Sequence, residues 1–478
     1  MRATTPHPSH LVSSEDNDQE ERSRLLPEDT DTEDAKDREK RLFRRLGLSF
    51  FLFGLINNVL YVIILSAALD LVPPSTPKGI IAFCNIAPAL VAKVGWPYVL
   101  KGRIRYAKRI IGCALLSVVG MIVVALFDTL LMRLLGICLA SFSSGLGELT
   151  FLQLSTTYAP PSVGGHSVGY FASGTGAAGL VGAFLWWEVR SFGVRIGVGV
   201  SSVLPFILPL AYFYLLPSPA GFLELSSDEQ TEFANSSPIA PYAPIPTEEV
   251  PGNSERNLNI TPKRTTLSLD DKIRLVKPLL VKYMLPLFCV YTFEYTINQG
   301  VAPTLLYPVP EAGRHWVLGK IIHSVRDYYP LWQLVYQTTV FISRSTISLG
   351  IPPLPQKLLS VPAIVQGVIL LVLSAESAIG FFADSDASSI IFVFLLISLE
   401  GVCGGLAYVN VFYRINQERP DPNDEDLERI KQEREFKIGS VGFADSSGIL
   451  LASLLAVPTE IELCKTQVRR GKLFCKGL

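Results

Sequence analysis

The stretch PLLVKYMLPLFCVYTFEYTINQGVA, residues 278–302, decides the fold. It is long enough to cross a bilayer, since about 20 apolar residues cover roughly 30 Å of hydrocarbon. Yet it carries Glu294 and Asn298. A carboxylate in hydrocarbon costs at least about 2.5–3.5 kcal/mol unless it faces a wet cavity or a partner. Glu148, Glu400 and Asp445 interrupt other apolar runs in the same way. Four acids so placed imply a polar pathway through a membrane protein.

Composition points the same way. The chain has 478 residues, of which 49% are hydrophobic and only 18% charged, and its mean hydropathy is +0.35. Such a chain must be solvated largely by lipid. A net charge of −1 gives no basic footprint for displacing phosphate counterions, so no nucleic-acid partner is expected. Most of the seven cysteines lie singly in apolar runs without a C-x-x-C pair, so neither a metal site nor a disulfide framework is implied. No cofactor is expected.

Eleven spans can be counted outward from the opening stretch, giving an all-α polytopic helical bundle. Six fall near residues 47–72, 79–99, 109–127, 130–152, 164–187 and 194–216. Five more fall near 278–302, 329–349, 356–376, 387–413 and 437–457. Residues 1–46 read as a disordered tail and 217–277 as a disordered linker rich in Pro, Ser, Asn and Glu. The linker separates an N-terminal six-helix bundle (47–216) from a C-terminal bundle (278–457), and residues 458–478 form a polar tail. This 6+5 division resembles a major-facilitator transporter, with helical halves around a central site.

Basic residues set the expected orientation. Lys36 to Arg45, Lys101 to Arg109 and Lys272 to Lys277 flank the first, third and seventh spans, which makes the N-terminus and the linker cytosolic. The sequons at Asn235 and Asn259 are then out of reach of glycosylation. Eleven spans leave the C-terminus in the lumen, in conflict with the basic residues Lys465, Arg469, Arg470, Lys472 and Lys476. In the N-terminal tail, Glu21, Leu25 and Leu26 have the form of an acidic dileucine signal for cytosolic sorting adaptors, or are ordinary disordered sequence.

Glu294 and Asn298 are four residues apart and share a helix face, offering a titratable acceptor and an amide to a polar solute or a proton. The alternative is an interhelical hydrogen bond that only holds the bundle together. In YQTTVFISRS, Gln337 and Arg344 share a face. Arg344 needs a carboxylate or an anionic substrate, unless it snorkels to the cytosolic headgroups. Glu148, Glu400 and Asp445 each lie beside glycines or serines that let helices pack or open around a site. Gly174, Ala178 and Gly182, with Gly169, Ser173 and Ala177 beside them, make a smooth face for close packing. Gly95, Gly102 and Arg103 match part of the facilitator loop motif, with Val99 where that motif has an acid. There is no H-E-x-x-H helix or Walker loop, and a non-enzyme is expected.

Read in order, GLINNVLYVIILSAALD (54–70), SSGLGELTFL (143–152), SGTGAAGLVGA (173–183), YTFEYTINQG (291–300), YQTTVFISRSTI (336–347), EGVCGGLAYVN (400–410) and EREFKIGSVGFADSSGILLASLLA (433–456) closely resemble the battenin family. The resemblance runs from the first span to the last. It implies a facilitator-like fold in a lysosomal or vacuolar membrane, vacuolar pH homeostasis, and transport of basic amino acids or glycerophosphodiesters. Its matched blocks carry Asn57, Asn58, Glu148, Glu294, Asn298, Arg344, Glu400 and Asp445 as candidate solute or proton sites. The chain departs from animal members in its short join between the first two spans and in residues 302–327. The C-terminal Cys475-Lys476-Gly477-Leu478 has the outline of a prenylation signal, with Lys and Gly in place of the usual aliphatics.

The expected function is transport of a small polar solute by alternating access, with or without protons. The rival is a non-transporting membrane regulator of trafficking or of the vacuolar proton pump.

Overall fold

The computed structural model describes residues 28–66, 78–99, 104–189, 192–222, 267–309, 322–382, 385–418 and 427–475. Eleven helical segments run through them. Five are continuous helices in the first part of the chain: α1 Glu28–Ser66, α2 Lys78–Val99, α3 Tyr106–Leu126, α4 Leu130–Ser155 and α5 Pro161–Val189. Residues 194–215 form α6, which passes from an α-helical start through a 3₁₀ turn at Leu204–Phe206 into a π-helical end at Ala211–Leu215. After the undescribed residues 223–266, residues 269–301 form α7, with π-helical turns at Leu280–Met284 and Ile297–Val301. Then come α8 Tyr328–Arg344, α9 Val361–Ile379, α10 Asp386–Asn416 and α11 Leu427–Arg469.

Each of the eleven spans expected from the sequence overlaps one of these segments, and among the described residues eight helices are long and apolar enough to cross a membrane. Their outward faces are greasy: Leu131 is 74% exposed, Leu371 71% and Val91 63%. Such surface is tolerable only against lipid, where helices satisfy their own backbone polar groups.

Contacts between helices carry a symmetry. In the first half α1 packs on α5 and α4, α2 on α4, and α3 on α4; in the second, α7 packs on α11 and α10, α8 on α10, and α9 on α10. Adding six to each number of the first set gives the second. The halves meet where α2 packs on α11 and α5 on α8, a pair that exchanges under the same rule. That pattern belongs to two repeats related by an axis between them.

Three boundaries differ from the sequence reading. Residues 28–46, expected to be disordered, continue α1 as helix, and its turn beside the span packs inward, where Leu46 is fully buried and Phe43 meets Phe222 edge-on at 5.4 Å. The linker is shorter at both ends. Tyr158 donates to the Pro217 carbonyl at 2.8 Å, and Ser268 with Asp271 forms a capping box that starts α7 at Leu269. The polar tail is partly helix, since α11 runs through Pro458 to Arg469. Gln467 there donates to the Thr304 carbonyl and to Ser377 Oγ, both at 2.8 Å.

One cysteine pair adds to the sequence reading. Cys464 and Cys475 are disulfide-bonded, and Cys475 is buried. Their spacing lacks any familiar pattern, because the pair closes a turn after a helix rather than a framework. A thiol in that bond is not free for prenylation. Glu21, Leu25, Leu26, Asn235 and Asn259 lie outside the described residues.

Candidate functional site

A cavity of about 140 Å³ lies between the halves. One water needs about 10–15 Å³ by this measure, so there is room for roughly ten waters or a small polar solute. Each wall owes its shape to sequence. Gly145 lets α4 lie against the Ala89 backbone of α2 and Gly179 lets α5 take up the Gln337 side chain of α8, while α7, α8 and α10 present tyrosines to the space.

Lys93 of α2 forms the first charge cluster. Its Nζ is 2.9 Å from Glu148 on α4 and 3.0 Å from Asp445 on α11, so the cluster joins the two halves. Tyr408 of α10 donates to the second Glu148 oxygen at 2.8 Å. Lys93 and Asp445 are each 4% exposed, so their charges are tolerable only as partners.

Arg344 occupies the cavity wall at the end of α8. Its Nη1 donates to Thr175 of α5 at 2.7 Å, its Nη2 donates to the Tyr291 hydroxyl of α7 at 2.9 Å, and its guanidinium lies 4.4 Å over the Tyr408 ring. This geometry overturns snorkelling. The side chain reaches inward to three other helices instead of along its own helix to headgroups. Among the described residues Arg344 has no carboxylate within ion-pair distance, and its Nε has no partner. Across the cavity, Asn85 of α2 is 2% exposed, and neither polar atom of its amide has a partner. Buried polar groups left so need an explanation, and a bound solute or water is one.

Of the remaining predicted residues, all but Asn58 separate from this site. Glu294, Asn298 and Glu400 cluster inside the second half, behind the cavity wall. Asn298 Nδ2 donates to Glu400 at 2.8 Å, Gln333 donates to the Asn298 oxygen at 2.9 Å, and Tyr336, which does line the cavity, donates to Glu294. Asn58 lines the cavity. Asn57 faces away and donates to the Ser144 carbonyl at 3.0 Å, a contact that fastens α1 to α4.

Polar contacts also join the halves at the end where the basic flanks lie. Tyr106 of α3 donates to Glu435 of α11 at 2.5 Å, and Gln153 of α4 donates to the Glu435 carbonyl at 3.0 Å. Asn416 of α10 donates to Ser155 of α4 at 2.9 Å.

The structure thus brings together Glu148, Arg344, Asp445 and Asn58 and assigns Glu294, Asn298 and Glu400 to a second cluster. Lys93, Asn85, Tyr336 and Tyr408 are additions. Lys93 carried a signal, since a lysine inside the apolar run of residues 79–99 is as costly as an acid. The tyrosines carried none, because an aromatic in a membrane helix is ordinary.

Comparison with known proteins gives consistent results. The family described as CLN3 protein matches residues 48–466. Protein BTN1 of Mycosarcoma maydis is 46% identical, with 92% of this chain and 90% of that protein aligned. Protein BTN1 of Saccharomyces cerevisiae is 38% identical, with 89% and 97% aligned. Among solved structures, the major facilitator superfamily proton:xylose symporter XylE is similar with a TM-score of 0.55 at 12% identity, over 91% of this chain and 95% of that one. The human organic anion transporter MFSD10 is similar with a TM-score of 0.50 at 11% identity, over 91% and 99%. At such identities the likeness is one of fold.

Proposed function

The chain belongs to the CLN3 (battenin) family and has a major-facilitator-like fold in a multi-pass membrane protein, and from this premise we propose that it carries a small anionic or zwitterionic polar solute, such as a glycerophosphodiester, across the vacuolar membrane by alternating access. The observation that carries the reading is Arg344: a guanidinium on the cavity wall, without a carboxylate partner among the described residues and with an unpartnered Nε. Guanidinium forks suit phosphate and carboxylate oxygens, and the Asn85 amide lies on the same cavity. A basic amino acid would instead need Glu148 and Asp445, and both are engaged by Lys93. The N-terminus is cytosolic in this reading. The contacts made by Tyr106, Gln153 and Asn416 then lie toward the cytosol, and transport requires them to part as the cavity opens to that side. Vacuolar pH changes as a consequence of this solute traffic.

The test is flux in proteoliposomes holding the full chain, with a labelled glycerophosphodiester and labelled lysine as probes. The expected result is saturable glycerophosphodiester flux that Arg344→Ala lowers at least tenfold at equal folded protein. A charge-assisted hydrogen bond contributes about 1.5–3 kcal/mol, which corresponds to about a 10–100-fold loss for one contact. Lysine flux alone, or undiminished glycerophosphodiester flux in Arg344→Ala, would reject the assignment.

A further inference from the structure

Behind the cavity wall, the second half holds two acids that the solute reading does not use. Glu294 of α7 is 1% exposed and Glu400 of α10 is 0% exposed, and no lysine, arginine or histidine among the described residues lies within ion-pair distance of either. Moving one carboxylate-sized charge out of water costs several kcal/mol even after relaxation, and two neighbouring anions would add their repulsion. The side chains are nonetheless held in register. The π-helical turn Ile297–Val301 presents Asn298, whose Nδ2 donates both to the Glu294 carbonyl at 3.1 Å and to Glu400 Oε1 at 2.8 Å. Gln333 fixes the amide from its other side. A methyl on Gly404 would collide with the Glu294 carboxylate, so α10 needs glycine there for the acid to lie against its backbone.

Two atoms stay without partners: Oε2 of Glu294 and Oε2 of Glu400. A carboxylate oxygen buried without a donor carries the full cost of desolvating its charge, whereas a neutral carboxyl in the same place costs far less. The groups around the pair are accounted for helix by helix. On α7 itself they are Tyr291 and Tyr295. From α8 come Tyr336 and Arg344, and from α10 Cys403. The guanidinium of Arg344 is turned to Thr175 and Tyr291, and from α11 Asp445 is turned to Lys93. From α9, Gly367 meets the Phe293 ring and presents no charge.

We propose that Glu294, held by Tyr336, and Glu400, held by Asn298, form a proton-binding pair that exchanges with the cavity through the Tyr336 hydroxyl. Tyr336 lines the cavity and donates to Glu294 Oε1. When its oxygen accepts a proton from cavity water, its own proton passes to Glu294, leaving hydroxide in the cavity and the tyrosine neutral. The dyad lies wholly within the second half, while the solute cluster spans both. Proton occupancy is thereby separated in space from the solute contacts and acts on the packing of α7 against α8 and α10.

The experiment is infrared difference spectroscopy of the purified full chain across a pH series, in water and in deuterium oxide, without any solute. This makes the outcome independent of whether the transport reading holds. A protonated carboxyl band that shifts in deuterium oxide and shrinks as pH rises is expected. Glu294→Gln and Glu400→Gln should each diminish it, and Tyr336→Phe should move its frequency by removing one hydrogen bond. Each variant is first checked for unchanged elution and thermal unfolding, and Tyr336→Phe, which loses only a hydroxyl, serves if the glutamines do not fold. Absence of a carboxyl band, or a band unchanged in Tyr336→Phe and in the folded glutamine variants, would overturn the dyad.

Discussion

Lys93 shows at the scale of one residue how charge is kept inside this membrane protein. Its ammonium is nearly fully buried between Glu148 and Asp445, and the three charges are stable only as a set. Lys93→Met should therefore destabilise more than its loss of volume suggests. Removing one partner of a buried ion pair costs about 3–5 kcal/mol, because the remaining charge is left without compensation. The expected outcome is a lower unfolding temperature in detergent for Lys93→Met, with recovery when Glu148→Gln and Asp445→Asn are added. A single variant as stable as the parent would show the triad to be solvated rather than mutually held. The four acids were legible in the sequence because each breaks an apolar run. Their grouping was not, since Glu148 and Asp445 are brought together by a lysine from a third helix, and nothing along the chain encodes that meeting.

Helices α5 and α7 separate what periodicity reveals from what it hides. The small-residue series on α5 was readable as a packing face. Gly174 and Gly54 fit reciprocally there, each where a Cβ would stand 2.9 Å from a backbone nitrogen of the other helix, Leu55 and Thr175 respectively. The same helix uses another stripe toward α8, where Gly176 lies against the Phe341 backbone. Gly174→Leu should thus part α1 from α5 and abolish folded protein, whereas Gly112→Leu, where a Cβ meets nothing within 4 Å, should be tolerated. Monodisperse elution in mild detergent reads the difference, and equal yields would reject the packing role of Gly174. On α7 a plain 3.6-residue period correctly places Glu294 and Asn298 on one face, but it misses the π turn that carries Asn298 to Glu400. An extra residue in a turn leaves no mark in composition. The α7 start was readable, since Ser268-Leu269-Asp270-Asp271 has the form of a capping box, but the surrounding polar composition outweighed it.

Across the whole molecule, the contact pattern has α7 to α11 repeat α1 to α5, with no counterpart of α6 among the described residues. The expected eleven crossings from an expected cytosolic N-terminus end in the lumen, against the basic residues of the tail. Part of that conflict has a local answer: Lys465 pairs with Glu462 at 2.7 Å, and Arg470 donates to the Ala378 carbonyl at 2.9 Å at the end of α9. The disulfide between Cys464 and Cys475 adds a chemical argument. Such bonds persist in oxidising compartments and are rare in the cytosol, so the pair suits a lumenal end. The prediction is a thiol count on intact vacuoles. With free thiols blocked after denaturation, five cysteines should react without reduction, namely Cys84, Cys113, Cys138, Cys289 and Cys403. Reduction before blocking should expose Cys464 and Cys475 as well, and Cys464→Ser should leave Cys475 reactive without reductant. Before denaturation, a membrane-impermeant maleimide added outside sealed vacuoles should not reach the freed Cys475 of that variant, and should reach it once the membrane is permeabilised. Labelling from outside would place the C-terminus in the cytosol and require an even number of crossings, with one of the eleven helices not spanning.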